Sequence, residues 1–292
     1  MSETASNIGN VYFPHLNLHF NINSVAFNIF GIDIYWYGII ITMGMILGLL
    51  LASYIAKKEN MNPEIITDFL MYDIVPAVIG ARIYYVIFQW DQYNNDLLSI
   101  LNIRGGGLAI YGAVITSIIV AVVYTRIKKL SFWKFADVAS YGLLVGQIIG
   151  RYGNFFNREA FGDYTNNLFA MRLLKSEAIS KGYLTKTILE NITTVNGLEY
   201  IQVHPTFLYE SSWNLLVLIF LLIYRRHRKG YGEIISLYIL FYGIGRYIIE
   251  GLRTDQLVIM GTGIAISQVV AIASIALGAI GFLLCRKNTR IN

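Results

Sequence analysis

The segment Gly150–Gly162, GRYGNFFNREAFG, puts Arg151, Asn154, Asn157, Arg158 and Glu159 directly after a long apolar run. Glu210 stands near the start of a second apolar run, after HPTFLY, and Tyr242, Arg246, Glu250 and Arg253 punctuate a third. Arg82 interrupts another, earlier in the chain. A charged side chain at the centre of a bilayer costs roughly 2.5–3.5 kcal/mol on insertion scales, so such residues need partners or a task. A guanidinium fork matches two phosphate oxygens, and a carboxylate beside it can orient the fork or accept a proton. The chemistry implied is recognition of a phosphate-bearing anion in an apolar setting.

Spacing decides whether these residues can act together. Arg151 and Asn154 are at i, i+3 and share a helix face. Tyr242, Arg246, Glu250 and Arg253 fall at i, i+4, i+8 and i+11, which is one stripe. Taken singly, the opening segment reads as an interfacial helix end, and Arg246–Glu250 reads as a self-satisfied pair. Three runs carrying charge at one depth describe a polar chamber better, with at least two arginines and two glutamates. Such a chamber is close to neutral, as burial of charge requires. It should accommodate an anionic phospholipid headgroup. Arg158 is read as a plain interfacial residue. Gly105–Gly107 and Gly112, with Tyr111, lie near the end of a further run and permit close backbone approach to a ligand. Trp36 and Tyr37 head the first run.

The elements that must position these groups are transmembrane helices. Of 292 residues 55% are hydrophobic and only 14% charged, against about 25% charged in soluble domains; the mean hydropathy is +0.53. Seven apolar runs approach the length of about 20 residues needed to cross a bilayer. They are Ile34–Ala56, Ile65–Trp90, Leu108–Ile127, Phe135–Phe155, Pro205–Tyr224, Ile234–Leu252 and Gly263–Cys285. Gly44 and Gly48, and Gly142, Gly146 and Gly150, repeat at four-residue spacing, which suits close helix packing. The net charge of +5 does not indicate nucleic acid, because the basic residues gather at the ends of apolar runs. Lys57 and Lys58, then Arg126, Lys128, Lys129 and Lys134, then Arg225, Arg226, Arg228 and Lys229, and finally Arg286, Lys287 and Arg290 mark the cytoplasmic side. The alternate loops hold only Arg104 and Arg253, apart from the long segment 156–204. The expected topology has the N-terminus outside and the C-terminus cytoplasmic.

The expected fold is therefore an all-α, polytopic bundle of seven transmembrane helices, a single membrane domain over 1–292. Segment 156–204, between the fourth and fifth helices, is expected to be a small extracytoplasmic cap, too short to hold a core alone. It includes Lys181, and its TTVNGLEYIQVHP stretch carries Asn196-Gly197, a type I′ hairpin signal. His15–Phe30 alternates polar and apolar residues, as a strand or an interfacial segment would. No cleaved signal peptide is expected, since residues 1–33 lack a basic leading region. The single cysteine, Cys285, excludes a disulfide framework. His15 and His19 are one helical turn apart but have no acidic neighbour, so no metal site is expected.

These residues resemble the bacterial prolipoprotein diacylglyceryl transferases over nearly the whole chain. GRYGNFFNREAFG is similar to that family's signature, G-R-x-G-N-F-x-N-x-E-x-x-G. IDIYWYG (Ile32–Gly38), GARIYYVIF (Gly80–Phe88), GGLAIYGA (Gly106–Ala113), HPTFLYE (His204–Glu210) and YGIGRYIIEGLR (Tyr242–Arg253) follow the family's order. The resemblance implies an enzyme of the bacterial cell membrane. It would transfer the diacylglyceryl group of phosphatidylglycerol to the lipobox cysteine of a prelipoprotein that still carries its signal peptide. The product would be a thioether, glycerol 1-phosphate would leave, and no cofactor or metal would be needed. Carried over, the family's essential arginines fall on Arg151 and Arg246, and its functional Asn, Glu and Gly on Asn154, Glu159 and Gly162. Further matches fall on Tyr37, Glu210, Tyr242 and Glu250. Arg82, within GARIYYVIF, joins the expected lipid-binding set.

One departure concerns Tyr111, which stands where some members carry a histidine considered as the base for the thiol. A phenol ordinarily titrates near 10, so Tyr111 and Glu210 both remain candidates for that base. The rival class is a membrane transporter or channel for an anionic substrate, which intramembrane charge also suits. It predicts inverted repeats, and the two halves show no clear repeat.

Overall fold

The computed structural model describes residues 9–94, 96–103, 106–179, 184–258 and 263–288. Arg104, Gly105, Lys181 and Arg290 of the sequence reading lie outside these residues. In chain order the elements are β1 (Val11–Phe13), β2 (Leu18–Phe20), β3 (Val25–Ile29), β4 (Ile32–Tyr35), α1 (Trp36–Lys58), α2 (Glu64–Phe88), α3 (Ile110–Ile127) and α4 (Phe132–Asn157). There follow β5 (Met171–Leu174), α5 (Lys175–Ala178), α6 (Lys186–Glu190), β6 (Thr193–Val195), β7 (Leu198–Val203), α7 (Thr206–Tyr224), α8 (Glu233–Glu250) and α9 (Ile266–Asn288). Each of the seven apolar runs thus falls mostly within a long helix, although the first begins in β4. Five helices, α1, α2, α3, α7 and α9, are long and apolar enough to cross a membrane by length and composition. The other two long helices carry charges of the candidate chamber: Arg151 on α4, and Arg246 and Glu250 on α8.

The chain forms two compact units. One holds Leu49–Ala139, the other the residues up to Gly48 and from Ser140 onward. In the smaller unit, the polar interruptions of α2 are partnered within the unit. Asp73 accepts a hydrogen bond from the Ser117 hydroxyl of α3 at 2.7 Å. Arg82 is buried and donates from all three of its nitrogens to carbonyl oxygens of the loop before α3. Nε reaches Ile100 (2.8 Å), Nη1 reaches Gly106 and Gly107 (both 2.9 Å), and Nη2 reaches Ser99 (2.8 Å) and Asn102 (3.3 Å). The Tyr93 ring lies under the guanidinium, 5.0 Å away.

In the larger unit, α1 and α4 approach as the glycine spacing predicts. A methyl group on Gly48 would stand 2.6 Å from the Gly142 carbonyl oxygen. The expectation of an all-α chain needs amendment here, because five short strands form an antiparallel sheet in the order β2-β1-β5-β7-β6. The sheet is more than the inserted segment 156–204. Residues near the N-terminus supply β1, paired with β5 at Val11↔Leu173, and β2 on its outer edge. That borrowing lets so short an insertion acquire a core. Val11, Phe13, Met171, Leu173, Ile201 and Val203 bury one sheet face against Phe161, Ile188 and Phe207 of α7. The β6–β7 turn is the expected one, with Asn196 at φ 51° and Gly197 at φ 78°.

Candidate functional site

The end of α4 is shaped by two residues at positive φ, Arg158 (54°) and Ala160 (57°). Between them Glu159 folds back, and its Oε1 accepts from the side-chain amides of Asn154 and Asn157, both at 3.1 Å. Arg158 is not the plain interfacial residue expected. Its Nε pairs with Glu177 at 2.7 Å and its Nη1 donates to the Ile22 carbonyl at 2.6 Å. It therefore ties the N-terminal segment to the segment after β5. Tyr37, at the start of α1, packs on the same stretch, since a methyl on Gly153 would meet its ring at 2.8 Å.

Beyond α4 the backbone is stitched to the start of α7 and the end of α8. Gly162 N–H donates to the His204 carbonyl (3.0 Å), Asp163 N–H to the Leu252 carbonyl (2.9 Å), and His204 N–H to the Asp163 carbonyl (3.0 Å). The Thr206 hydroxyl bonds the Ala160 carbonyl, and Gly162 bridges to Arg253. These bonds bring α4, α7 and α8 to one level, which is what the chamber requires.

At that level three arginines converge on one carboxylate. Glu210 Oε2 lies 2.5 Å from Arg151 Nη2 and 3.5 Å from Arg246 Nη1, and its Oε1 lies 3.8 Å from Arg253 Nη1. Glu250 pairs with Arg246 Nη2 at 2.6 Å and approaches Arg253 at 4.0 Å; its other oxygen accepts from the Ser267 hydroxyl. Asp255 holds Arg253 with two bonds, at 2.8 and 2.7 Å. The burial is asymmetric. The Glu210 and Glu250 side chains are 6% and 5% exposed, the Arg151 and Arg246 side chains 21% and 19%. The acids form the back of the cluster and the guanidinium groups its accessible front. Tyr242 borders a small void of about 10 Å³ with Glu210, Asn214 and Arg246, which is room for no more than about one water.

Of the expected residues, Arg151, Asn154, Glu159, Gly162, Glu210, Tyr242, Arg246, Glu250 and Tyr37 all lie in the larger unit. Tyr111 and Arg82 belong to the smaller one. There the Tyr111 ring stands 6.3 Å from that of Tyr84, and Arg82 holds the loop described above.

Arg253, read in the sequence as the last member of the α8 stripe, is a full member of the cluster. Its partner Asp255, two positions away in a loop, was not foreseen. Burial pushes the Asp255 carboxyl up, but the hydrogen bonds and charge of Arg253 outweigh it and hold the group below the usual carboxylate range. Asn214, buried at i+4 from Glu210, carried a legible signal in that spacing. His204 was read only as part of a motif. Its Nδ1 lies 3.2 Å from the Tyr209 hydroxyl. Burial lowers its pKa, with Asp163 opposing in part. Among the described residues, no three His, Cys, Asp or Glu side chains group so as to hold a metal ion.

The arrangement is a set of preoriented, partly accessible guanidinium groups backed by buried acids, suited to an anion that carries apolar substituents. Residues 24–284 match the family described as prolipoprotein diacylglyceryl transferase. A protein of Finegoldia magna named phosphatidylglycerol–prolipoprotein diacylglyceryl transferase is 43% identical over 260 residues, 89% of this chain and 94% of its own length. Proteins of the same name from Listeria innocua (44% over 266 residues, 91% and 90%) and Oceanobacillus iheyensis (42% over 269 residues, 92% and 89%) are similarly related.

Proposed function

The chain belongs to the prolipoprotein diacylglyceryl transferase family, and from that premise we propose that it transfers the diacylglyceryl group of phosphatidylglycerol to the lipobox cysteine of prelipoproteins. The observation that carries this reading is the convergence of Arg151, Arg246 and Arg253 on Glu210. It is a multi-pass membrane protein. In our reading all seven long helices span the membrane, with the N-terminus outside and the C-terminus cytoplasmic. The sheet then caps the outer end of the bundle, and the arginine cluster faces the outer leaflet.

In the reaction we propose, the cysteine thiol loses its proton and its sulfur attacks the sn-3 carbon of the glycerol. The carbon–oxygen bond to phosphate breaks, a carbon–sulfur bond forms, and glycerol 1-phosphate departs with added charge on the former ester oxygen. Arg151 and Arg246 bind the phosphate, and because charge grows there in the transition state, they favour it over the bound lipid. Glu250 and Glu210 hold those arginines in place. Tyr37, Asn154, Glu159, Gly162 and Tyr242 shape the surrounding lipid site. Glu210 and Tyr111 are the candidate acceptors of the thiol proton. Arg82, with every nitrogen engaged by carbonyl oxygens, acts by holding its loop and not as a phosphate ligand.

The relatives named above are all transferases, which leaves the transporter reading without support. The test is direct. Purified protein, phosphatidylglycerol and a lipobox peptide should give a mass gain of one diacylglyceryl group on the cysteine. No gain, or an equal gain on a Cys→Ser peptide, overturns the assignment.

A further inference from the structure

The hairpin of β3 and β4 leads directly into α1, yet its exposed surface has the wrong character for water. Its register pairs Phe27 with Ile34 and Ile29 with Ile32 on one face, and Asn28 with Asp33 on the other. Phe27, Ile29 and Ile32 are each about half exposed, and Phe30 at the tip is fully exposed, at 101%. Phe30 and Gly31 form the turn with φ of 51° and 82°. A bulky side chain at positive φ is an outlier, and type I′ turns favour Asn-Gly. The same chain shows what an ordinary solution looks like: the β6–β7 turn has near-identical dihedrals, 51° and 78°, and uses Asn196-Gly197. At the equivalent position β3–β4 places an aromatic ring that gains no contact with the protein and is strained by its backbone.

The remaining features of the hairpin fit a medium other than water. The polar side chains at its turn bond within the hairpin, while the outer edges of its two strands keep backbone groups suited to the headgroup region rather than the hydrocarbon centre. The Asn28 side-chain Nδ2 donates to Asp33 Oδ1 at 2.7 Å, and the Asn28 side-chain Oδ1 accepts from Gly31 N–H at 3.0 Å. No lysine or arginine occurs from residue 16 to residue 56, and Asp33 is the only acidic residue there. Continuity names the medium: β4 ends at Tyr35 and α1, a candidate membrane span, begins at Trp36 with no linker. Tyr35, Trp36 and Tyr37 are side chains of the kind that settle at a membrane interface.

We propose that the β3–β4 hairpin is a membrane finger, with Phe30, Phe27, Ile29 and Ile32 immersed among the lipids of the leaflet in which α1 begins. The finger is tied to the end of α4. The Ser24 hydroxyl donates to the Phe156 carbonyl at 3.2 Å, Arg158 reaches the same hydroxyl at 3.4 Å, and the Trp36 and Phe156 rings lie 5.2 Å apart. Immersion therefore sets the depth at which residues 151–159 meet a lipid headgroup.

The single native cysteine permits a clean test. Full-length protein carrying Cys285→Ser together with one of Phe30→Cys, Phe27→Cys, Ile32→Cys or Asn196→Cys is nitroxide-labelled and reconstituted in phosphatidylcholine–phosphatidylglycerol vesicles. Collision rates with oxygen, which concentrates in hydrocarbon, and with a water-soluble nickel chelate give the depth of each label. Labels at 30, 27 and 32 should favour oxygen over nickel several-fold more than the label at 196, the matched turn in the sheet. Nickel access at 30 equal to that at 196 overturns the proposal. So does shielding of position 30 from both reagents, which would mean a protein partner or a second copy covers the tip. Three independent finger positions guard against one poorly folding variant.

Discussion

A single methyl group at Gly162 should disable the enzyme through the backbone that aligns Arg253. In Gly162→Ala the new Cβ would stand 2.7 Å from both His204 Cβ and the Leu252 carbonyl oxygen, about 0.7 Å inside the 3.4 Å at which ordinary contact begins. Neither obstacle is the end of a flexible side chain. Gly162 is not among the glycines at positive φ, so the substitution isolates close approach from backbone strain. The junction must open, and with it the Asp163 N–H bond to Leu252 at 2.9 Å. Arg253 is the next residue and already sits 3.8 Å from Glu210. Overpacking of this kind costs about 1–3 kcal/mol of stability, and misplacement by about 1 Å near reacting groups can cost about 10²-fold in rate. The assay is kcat/KM for thioether formation on a lipobox peptide, with thermal unfolding measured on the same samples. Gly146→Ala is the control, because its methyl meets nothing within 4 Å; it should keep wild-type kcat/KM. Wild-type rate and melting in Gly162→Ala, or an equal loss in Gly146→Ala, would refute the steric reasoning.

Other perturbations address the charges. Arg151→Lys and Arg246→Lys should each lose most transfer activity, since an ammonium cannot make the two-point contact of a guanidinium; near-wild-type transfer by either sinks their phosphate role. Tyr111→Phe should retain transfer if Glu210 accepts the thiol proton. A fall of about 10²–10⁴-fold, the usual worth of a general base, would hand that role to the phenol. For His204 the folded-state pKa lies below the ordinary value, so the unfolded chain binds the proton more readily. Stability should then decline as pH drops below about 6.5 and on through the lower folded-state pKa. His204→Gln should flatten that limb in thermal unfolding measured across pH, and an unchanged profile would count against it.

Much of the helical framework was legible because its signal is local. Seven apolar runs became seven long helices, and the i, i+4 stripe on α8 foretold Arg246 beside Glu250. What the sequence hid depends on partners far along the chain. β1 is three residues long, too short to show a period, and finds β5 some 160 positions later, at Val11↔Leu173. Arg82 and Arg158 were read from charge and depth alone, and both turn out to bind backbone carbonyls. Acceptors of that kind belong to loop geometry and leave no trace in residue type. Asp255 escaped notice because a carboxylate two residues after an arginine, outside a helix, has no fixed geometric relation to it.

The balance of charge in the cluster bears on how it can work. Three guanidinium groups face three carboxylates, Glu210, Glu250 and Asp255, so the site is formally neutral before any lipid arrives. Removing one member leaves its partners buried and uncompensated, which is far more costly than the net worth of a pair. The acids thus hold the arginines aimed and clustered in the absence of ligand, so little reorganisation is needed when a phosphate meets them. Because Glu210 and Glu250 are the buried members and Arg151 and Arg246 the accessible ones, an anion reaches the cations first. Each guanidinium has five N–H donors. Arg246 spends its closest contact on Glu250, at 2.6 Å, and only a long one, at 3.5 Å, on Glu210. Of the two contacts Arg246 makes, that weaker one costs less for an incoming phosphate to replace, so in the proposed reaction the headgroup would approach Arg246 from its Glu210 side.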